Sequence, residues 1–245
     1  MGCTVRWLRA ALIVFALSFL PPLPSAPAFE GTPRLSVVSF GLFGDQDVFR
    51  SEATGAAAVV ANRFGAAASI VRSNTKKSGD ATVETLAAAL NTAAAKIERQ
   101  QDILFVILTS HGSRDGLVVT SGRPNILTPA NLSRLLFWTG VERKVVIISA
   151  CYSGIFIPRL ADTNTLVITA ADADHPSFGC QDRAKWTYFG EAFFNQALRR
   201  AASLKSAFTQ ASSLILKREL QSGFDPSHPQ IAGGEDVEPL IVARR

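Results

Sequence analysis

Two uninterrupted apolar runs constrain the fold of this chain more than any other feature. Residues 103–108 read Ile-Leu-Phe-Val-Ile-Leu, and residues 145–148 read Val-Val-Ile-Ile. Such runs are typical of strands covered on both faces, as the parallel strands of α/β proteins are. Between them, Thr128-Pro129 starts a predicted crossover helix over residues 130–138, whose expected buried face comprises Leu132, Leu135, Leu136 and Trp138. We therefore expect two neighbouring parallel strands in one right-handed unit.

The rest of the chain alternates between strand and helix patterns. Strands are predicted at residues 35–40, 66–71 and 166–170, and helices at residues 52–64, 83–99, 192–202 and 204–220. Residues 113–120 contain a turn and part of a small hairpin. This alternation predicts an α/β fold with a mostly parallel central sheet and helices on both faces.

A reactive side chain follows each of the two apolar strands. The first strand opens onto Ser110-His111-Gly112, and the second onto Ala150-Cys151-Tyr152-Ser153-Gly154. Active sites of open α/β sheets lie beyond the carboxyl ends of the strands, so we expect His111 and Cys151 to meet there. An imidazole makes a neighbouring thiol nucleophilic, and the N–H groups of Gly112 and Cys151 are candidates to bind an oxyanion. The pattern predicts a catalytic Cys-His dyad.

These two strand ends resemble those of the legumain-like cysteine peptidases, which are relatives of the caspases and of the glycosylphosphatidylinositol transamidase catalytic subunit. The resemblance is close at His111-Gly112 and at residues 150–154, and loose over the rest of the chain. It implies a caspase-like three-layer sandwich and a thiol protease that hydrolyses peptide or protein substrates. It also implies that Cys151 is the nucleophile and His111 the acid-base partner.

The resemblance further implies a substrate-binding pocket. Arg50 would grip the residue before the scissile bond, while Ser177 and Glu191 would line the pocket. Two departures stand out. Ser149 replaces a glutamate that helps legumains to read asparagine, and Val48 replaces an asparagine. Because an arginine with fewer acidic neighbours favours a carboxylate, we expect the preference to shift from asparagine toward aspartate.

Composition excludes other functional classes. The chain has 25 basic and 20 acidic residues, and no run of lysine or arginine exceeds two, so we expect no nucleic-acid partner. We also expect no metal and no cofactor, because Asp172, Asp174 and His175 crowd on one loop with no second ligand cluster elsewhere.

Residues 1–28 follow the plan of a secretory signal peptide. Arg6 and Arg9 precede the apolar segment 10–20, and small residues end at Ala28. The apolar segment is too short to span a bilayer comfortably, so we expect cleavage and no stable membrane span. The predicted mature domain, residues 29–245, is then extracytoplasmic, either periplasmic or secreted.

Two alternatives remain open at the level of sequence. Only Cys151 and Cys180 remain after signal removal, and in an oxidising compartment they could form a disulfide in a non-catalytic binding protein. The other alternative is a transamidase or ligase, because an amine can resolve the same acyl-enzyme instead of water.

Overall fold

The computed structural model describes residues 1–2, 32–121 and 123–243. The predicted signal peptide therefore lies, apart from its first two residues, outside the described residues. The strands are β1 (Leu35–Gly41), β2 (Ala66–Ser73), β3 (Ile103–Thr109), β4 (Gly112–Ser113), β5 (Gly116–Ser121), β6 (Arg123–Leu127), β7 (Arg143–Ser149), β8 (Thr165–Thr169) and β9 (Gln230–Ala232). The helices are α1 (Asp47–Phe64), α2 (Val83–Ala94), α3 (Pro129–Trp138), α4 (Ile157–Leu160), α5 (Tyr188–Gly190), which continues as a π-helical segment (Glu191–Ala197), and α6 (Leu204–Gln221).

The central sheet has six strands in the order β2-β1-β3-β7-β8-β9, and only β9 runs antiparallel to its neighbour. The two apolar runs of the sequence form β3 and β7, which pair in parallel as predicted. Strands β4, β5 and β6 form a separate antiparallel sheet that follows β3 directly. The small hairpin predicted after residue 111 is therefore present.

Side chains of the central strands alternate between two hydrophobic cores. In β3, Ile103, Phe105 and Ile107 pack toward α1, α5 and α6. The intervening Leu104, Val106 and Leu108 pack toward α2, α3 and the small sheet. All six are fully buried, because successive strand residues point to opposite faces and both faces are covered. The predicted three-layer α/β arrangement is confirmed.

Three helix boundaries differ from the predicted ones. Helix α1 begins at Asp47 rather than residue 52, because Val48 and Phe49 are drawn into the core and Asp47 is favourably placed near the positive end of the helix dipole. Helix α2 ends at Ala94 rather than residue 99, since the chain must turn before β3 begins. The helix predicted over residues 192–202 is instead a π-helical segment that ends at Ala197.

The predicted apolar face of α3 is also corrected. Leu132 and Leu136 are buried, whereas Trp138 is 66% exposed. With 3.6 residues per turn, position 138 lies well away from the direction of position 132, so it cannot share that face. Within the part of the chain that the structure describes, no helix combines the length and apolar character needed to cross a membrane.

Candidate active site

The pairing of β3 with β7 brings the two reactive side chains to one edge of the sheet. Thr109 lies opposite Ser149 in the parallel register, and the Ser110 N–H donates to the Ser149 carbonyl at 3.2 Å. His111 lies two positions after Thr109, and Cys151 lies two positions after Ser149. Since neighbouring strands are about 4.8 Å apart, the two side chains leave the sheet next to one another.

Aromatic rings and an amide hold the His111 imidazole. Its ring centroid lies 4.6 Å from that of Phe43 and 5.0 Å from that of Phe49, both edge-to-face. Its Nε2 lies 2.6 Å from Oε1 of Gln46. An amide oxygen only accepts, so this contact places the proton on Nε2 and leaves Nδ1 as the basic nitrogen of the neutral ring. Burial lowers the pKa of His111 from its ordinary value of 6.5.

Gln46 resolves one departure from the legumain pattern. Val48, at the position of the family's asparagine, is fully buried in the core. The polar contact to the histidine comes from Gln46, the residue that caps α1. The histidine is therefore oriented by a side chain two positions earlier than the resemblance suggests.

The position of Gly112 requires the absence of a side chain. A Cβ at this residue would overlap the backbone carbonyl oxygen of Cys151. The Val118 N–H donates to the His111 carbonyl, so His111 and Val118 form a hydrogen-bonded pair. Such pairs alternate along an antiparallel ladder, so the next pair, Gly112 with Leu117, is not hydrogen-bonded. Its N–H is therefore left outside that ladder, close to the Cys151 backbone.

The backbone of Ser177 contacts the sulfur of Cys151. The Ser177 N–H lies 3.3 Å from Cys151 Sγ, and the thiol lies 3.3 Å from the Ser177 carbonyl oxygen. The Ser177 hydroxyl is 3.9 Å from the sulfur. Cys151 itself is half-buried. Of the predicted pocket residues, Ser177 is the one that the structure brings to the Cys151 sulfur.

The loop after β8 fixes the turn that carries Cys151. Tyr152 adopts a left-handed conformation, with φ of 55°, and its N–H donates to the His175 carbonyl at 2.9 Å. The N–H of Gly154 donates to the Asp172 carbonyl at 3.2 Å. A Cβ at Gly154 would clash with the backbone of Asp172. The two segments are therefore packed backbone against backbone.

The acidic residues of this loop have partners within the protein. The Asp172 carboxylate accepts from the backbone and Nδ1 of His175, and Asp174 pairs with Arg114 at 2.6 Å. The Arg114 guanidinium also lies over the Tyr152 ring. Among the residues that the structure describes, no group of three or more His, Cys, Asp or Glu side chains is placed to hold a metal ion.

Cys151 and Cys180 are both free thiols. Burial, together with the charges of Cys151 and Glu52, raises the pKa of Cys180 to about 12. Cys180 therefore stays protonated and unreactive near neutral pH. The disulfide on which the binding-protein alternative rests is not formed in this structure.

The other three predicted pocket residues have contacts with other side chains. The Arg50 side chain is 54% exposed and pairs with Asp47 at 3.0 Å. Ser149 is buried, with its hydroxyl 3.2 Å from that of Thr187. The Glu191 carboxylate accepts from the Asn195 amide at 3.0 Å and from the Gln196 amide at 2.9 Å. Their roles in substrate binding stay predictions.

Sequence reasoning missed Gln46 and Glu52. Both belong to the start of α1, which was predicted to begin only at residue 52. Gln46, Phe49 and Glu52 are three positions apart and therefore lie near one face of the helix. This spacing of two polar residues around a phenylalanine is the sequence pattern that could have indicated an inward-facing polar pair on the helix.

The comparisons with known proteins identify the family and the fold of the chain. A sequence model of the Peptidase C13 family matches residues 45–235, so the chain belongs to that family, the legumain family. It is a cysteine-type peptidase. Among solved structures, caspase-1 from Spodoptera frugiperda is similar in fold, with a TM-score of 0.57 and 13% sequence identity over 82% of this chain and 86% of that one. No curated protein matches the sequence significantly. The predicted caspase-like fold and legumain-like family are confirmed.

Gly112→Ala should abolish most of the peptidase activity without unfolding the protein. The added methyl group would push the Cys151 carbonyl away, and displacement of a reacting group by about 1 Å costs on the order of 100-fold in rate. Ser113→Ala in the same strand is the matched control, because it removes only two contacts of the following turn, with the Gly116 carbonyl at 3.4 Å and the Asp115 N–H at 3.2 Å. Comparable kcat/KM values for both folded variants would contradict the close approach of Gly112 to Cys151.

His111 should titrate below pH 6.5 in the folded protein. Burial disfavours the imidazolium, so the ring becomes protonated only at a lower pH than an exposed histidine does. Above that pH it is neutral and can accept a proton. The check is NMR titration of the ring Cε1–H in Cys151→Ala, with the urea-unfolded protein as reference. A folded-state midpoint at or above the unfolded one would show that another interaction outweighs burial.

Proposed function

We propose that this peptidase is an extracytoplasmic cysteine endopeptidase that works through Cys151 and His111. The observation that carries the proposal is the β3–β7 register, which sets the two residues side by side at the carboxyl edge of the sheet. The contact from Gln46 adds to it, because it leaves His111 Nδ1 free to take a proton.

The reaction follows from these positions. His111 Nδ1 takes the Cys151 proton, and the thiolate sulfur adds to the scissile carbonyl carbon. The resulting oxyanion accepts hydrogen bonds from the N–H groups of Gly112 and Cys151. The imidazolium then donates its proton to the amide nitrogen, the C–N bond breaks, and the amine leaves a thioester on Cys151. A water molecule, deprotonated by His111, attacks the thioester and releases the carboxylic acid and the thiol.

The surroundings of His111 suit a residue that must change charge during this cycle. Phe43 and Phe49 fix the ring plane, and Gln46 fixes which nitrogen carries the proton. A base whose pKa is lowered by burial is neutral before it accepts the thiol proton. This arrangement keeps the base available at neutral pH.

We extend the proposal to the substrate, a peptide or protein cut after aspartate or asparagine. Ser177 supports this, because its backbone reaches the Cys151 sulfur and so borders the place where substrate must bind. Arg50 is the proposed basic partner. Its ion pair with Asp47 is exposed, and exposed pairs contribute only about 0–1 kcal/mol, so a substrate carboxylate could replace Asp47 at little cost. Ser149 adds no charge of its own, which favours aspartate over asparagine.

The reduced protein should react at Cys151 with a peptidyl electrophile that ends in aspartate, less with one that ends in asparagine, and least with one that ends in alanine. Cys151→Ala should lose the label, and His111→Ala should react about 100-fold more slowly, since a positioned acid-base group contributes about 100- to 10,000-fold. Mass spectrometry of the labelled peptide locates the adduct.

Cys180→Ala is the matched control and should label as the wild type does, because that thiol stays protonated. Labelling at Cys180, or equal labelling of His111→Ala and wild type, would contradict the dyad. A preference for the asparagine probe would overturn the proposed shift toward aspartate while leaving the dyad intact.

The extracytoplasmic location rests on residues 1–28. We expect the full chain, expressed in a Gram-negative host, to appear outside the cytoplasm with Phe29 as its first residue, as N-terminal sequencing of the fractionated protein would show. A variant without residues 2–28 is the control and should stay in the cytoplasm. Recovery of the intact chain in the cytoplasm would refute a cleaved signal peptide.

A further inference from the structure

Glu52 is a fully buried carboxylate beneath the candidate active site, and the proposed reaction does not use it. Its side chain, on α1, has no exposed surface. Oε1 accepts from the Thr109 hydroxyl at 2.9 Å, and Oε2 accepts from the Thr187 N–H at 2.8 Å and the Thr187 hydroxyl at 2.7 Å. All of these partners are neutral donors, so the carboxylate is held by hydrogen bonds rather than by a salt bridge with them.

Glu52 is linked to the residues that end β3 and β7, the strands that His111 and Cys151 follow. Thr109 ends β3 and stands two positions before His111. Ser149 ends β7, stands two positions before Cys151, and reaches Glu52 through the Thr187 hydroxyl, to which the Ser149 hydroxyl donates at 3.2 Å. Thr187 in turn caps α5. One carboxylate therefore ties together three segments that meet at the site.

The surrounding chain is shaped around this carboxylate. Gly190 lies so close that a Cβ there would overlap Oε2 of Glu52. The Gly190 N–H donates to the Thr187 hydroxyl at 2.9 Å, which leaves that hydroxyl's proton for Glu52. Any side chain at position 190 would displace the Glu52 carboxylate. The buried position of Glu52 therefore requires glycine at position 190.

Burial of this carboxylate is unfavourable to the free energy of folding. Burial raises the pKa of Glu52, although the hydrogen bonds from Ser149, Thr187 and Thr109 act in the opposite direction. A buried carboxylate is expensive unless its hydrogen bonds are complete. An apolar side chain could fill the same space at lower cost, so a purely packing role does not account for a glutamate here.

The same helix supports His111 from two earlier positions. Gln46 contacts Nε2 of the ring, and Phe49 packs against its plane edge-to-face. Glu52 follows three residues later and anchors the strand from which His111 emerges. The helix is itself fixed to the sheet, because the Ser39 hydroxyl donates to the Ala53 carbonyl at 2.7 Å.

We propose that Glu52 is a positioning residue that locks the carboxyl ends of β3 and β7 to each other and to α5, and so sets the separation of His111 and Cys151. This inference rests on the proposed dyad chemistry. Glu52 does not touch the reacting atoms. It acts on β3 through the Thr109 hydroxyl. It acts on β7 through Thr187, whose hydroxyl meets that of Ser149.

Asp102 provides a control, because it is a second buried carboxylate and lies at the other end of β3 from Thr109, the residue that Glu52 contacts. Asp102 immediately precedes β3 at the opposite edge of the sheet, is 3% exposed, and accepts from the backbone N–H groups of Arg34 and Glu98. Its Oδ2 also pairs with the Arg34 guanidinium at 2.9 Å, so Asp102→Asn weakens an ion pair as well and is the more demanding control. Asp102→Asn and Glu52→Gln therefore both disturb a buried hydrogen-bonded acid. Only Glu52→Gln disturbs the edge that carries the dyad.

The experiment compares the two variants in the whole protein at a temperature where both are folded. We expect kcat on a peptide substrate to fall about 10- to 100-fold in Glu52→Gln with KM nearly unchanged, and to change less than twofold in Asp102→Asn. A second pair tests the path through the strand end. Thr109→Ser keeps the hydroxyl and should retain activity, whereas Thr109→Val should behave like Glu52→Gln.

Hydrogen–deuterium exchange supplies a readout that does not depend on activity. Peptides that cover residues 109–113 and 149–155 should exchange faster in Glu52→Gln and at the wild-type rate in Asp102→Asn. Unchanged exchange at both segments in Glu52→Gln, or equal loss of kcat in the two acid variants, would overturn the positioning role. Failure of the wild type to label at Cys151 would instead refute the proposed dyad, and the exchange result would still decide whether Glu52 locks the two strand ends.

Discussion

The pairing of β3 with β7 is the constraint on which the rest of the site depends. Both strands are covered on their two faces, so their register is fixed by buried side chains on each side of the sheet. With Thr109 opposite Ser149, the residues two positions further on are neighbours beyond the sheet edge. A slip by one residue would turn the buried faces of β3 toward the wrong cores and separate His111 from Cys151. The stability of the sheet and the geometry of the dyad therefore come from the same contacts.

Helix α1 and the loop after β8 complete the site from opposite sides. From α1, Gln46 contacts the imidazole and Glu52 bonds to the strand ends. From the loop, His175 holds the turn that follows Cys151, and Ser177 meets the sulfur. His111 and Cys151 are thus each held by a segment distant from them in sequence. Burial and nearby negative charge keep the Cys180 thiol protonated.

Family membership and the geometry support different parts of the functional argument. Membership in the Peptidase C13 family makes the chain a cysteine-type peptidase, and the caspase-like fold agrees with it. The structure adds how this chain meets the family's requirements where its sequence departs from the pattern. Gln46 contacts the histidine in place of the asparagine that Val48 replaces.

The sequence by itself determined the α/β class, the parallel pairing of the two apolar strands and the candidates His111, Gly112 and Cys151. These rest on local patterns, since an unbroken apolar run indicates a doubly covered strand and residues after it must leave the sheet at its carboxyl edge. Only the tertiary structure decided that Gln46 orients the imidazole, that Ser177 meets the sulfur, and that Glu52 bridges the strand ends. Each of these contacts joins segments at least 26 residues apart. No local pattern encodes such a contact, because it depends on how the helices and loops pack onto the sheet.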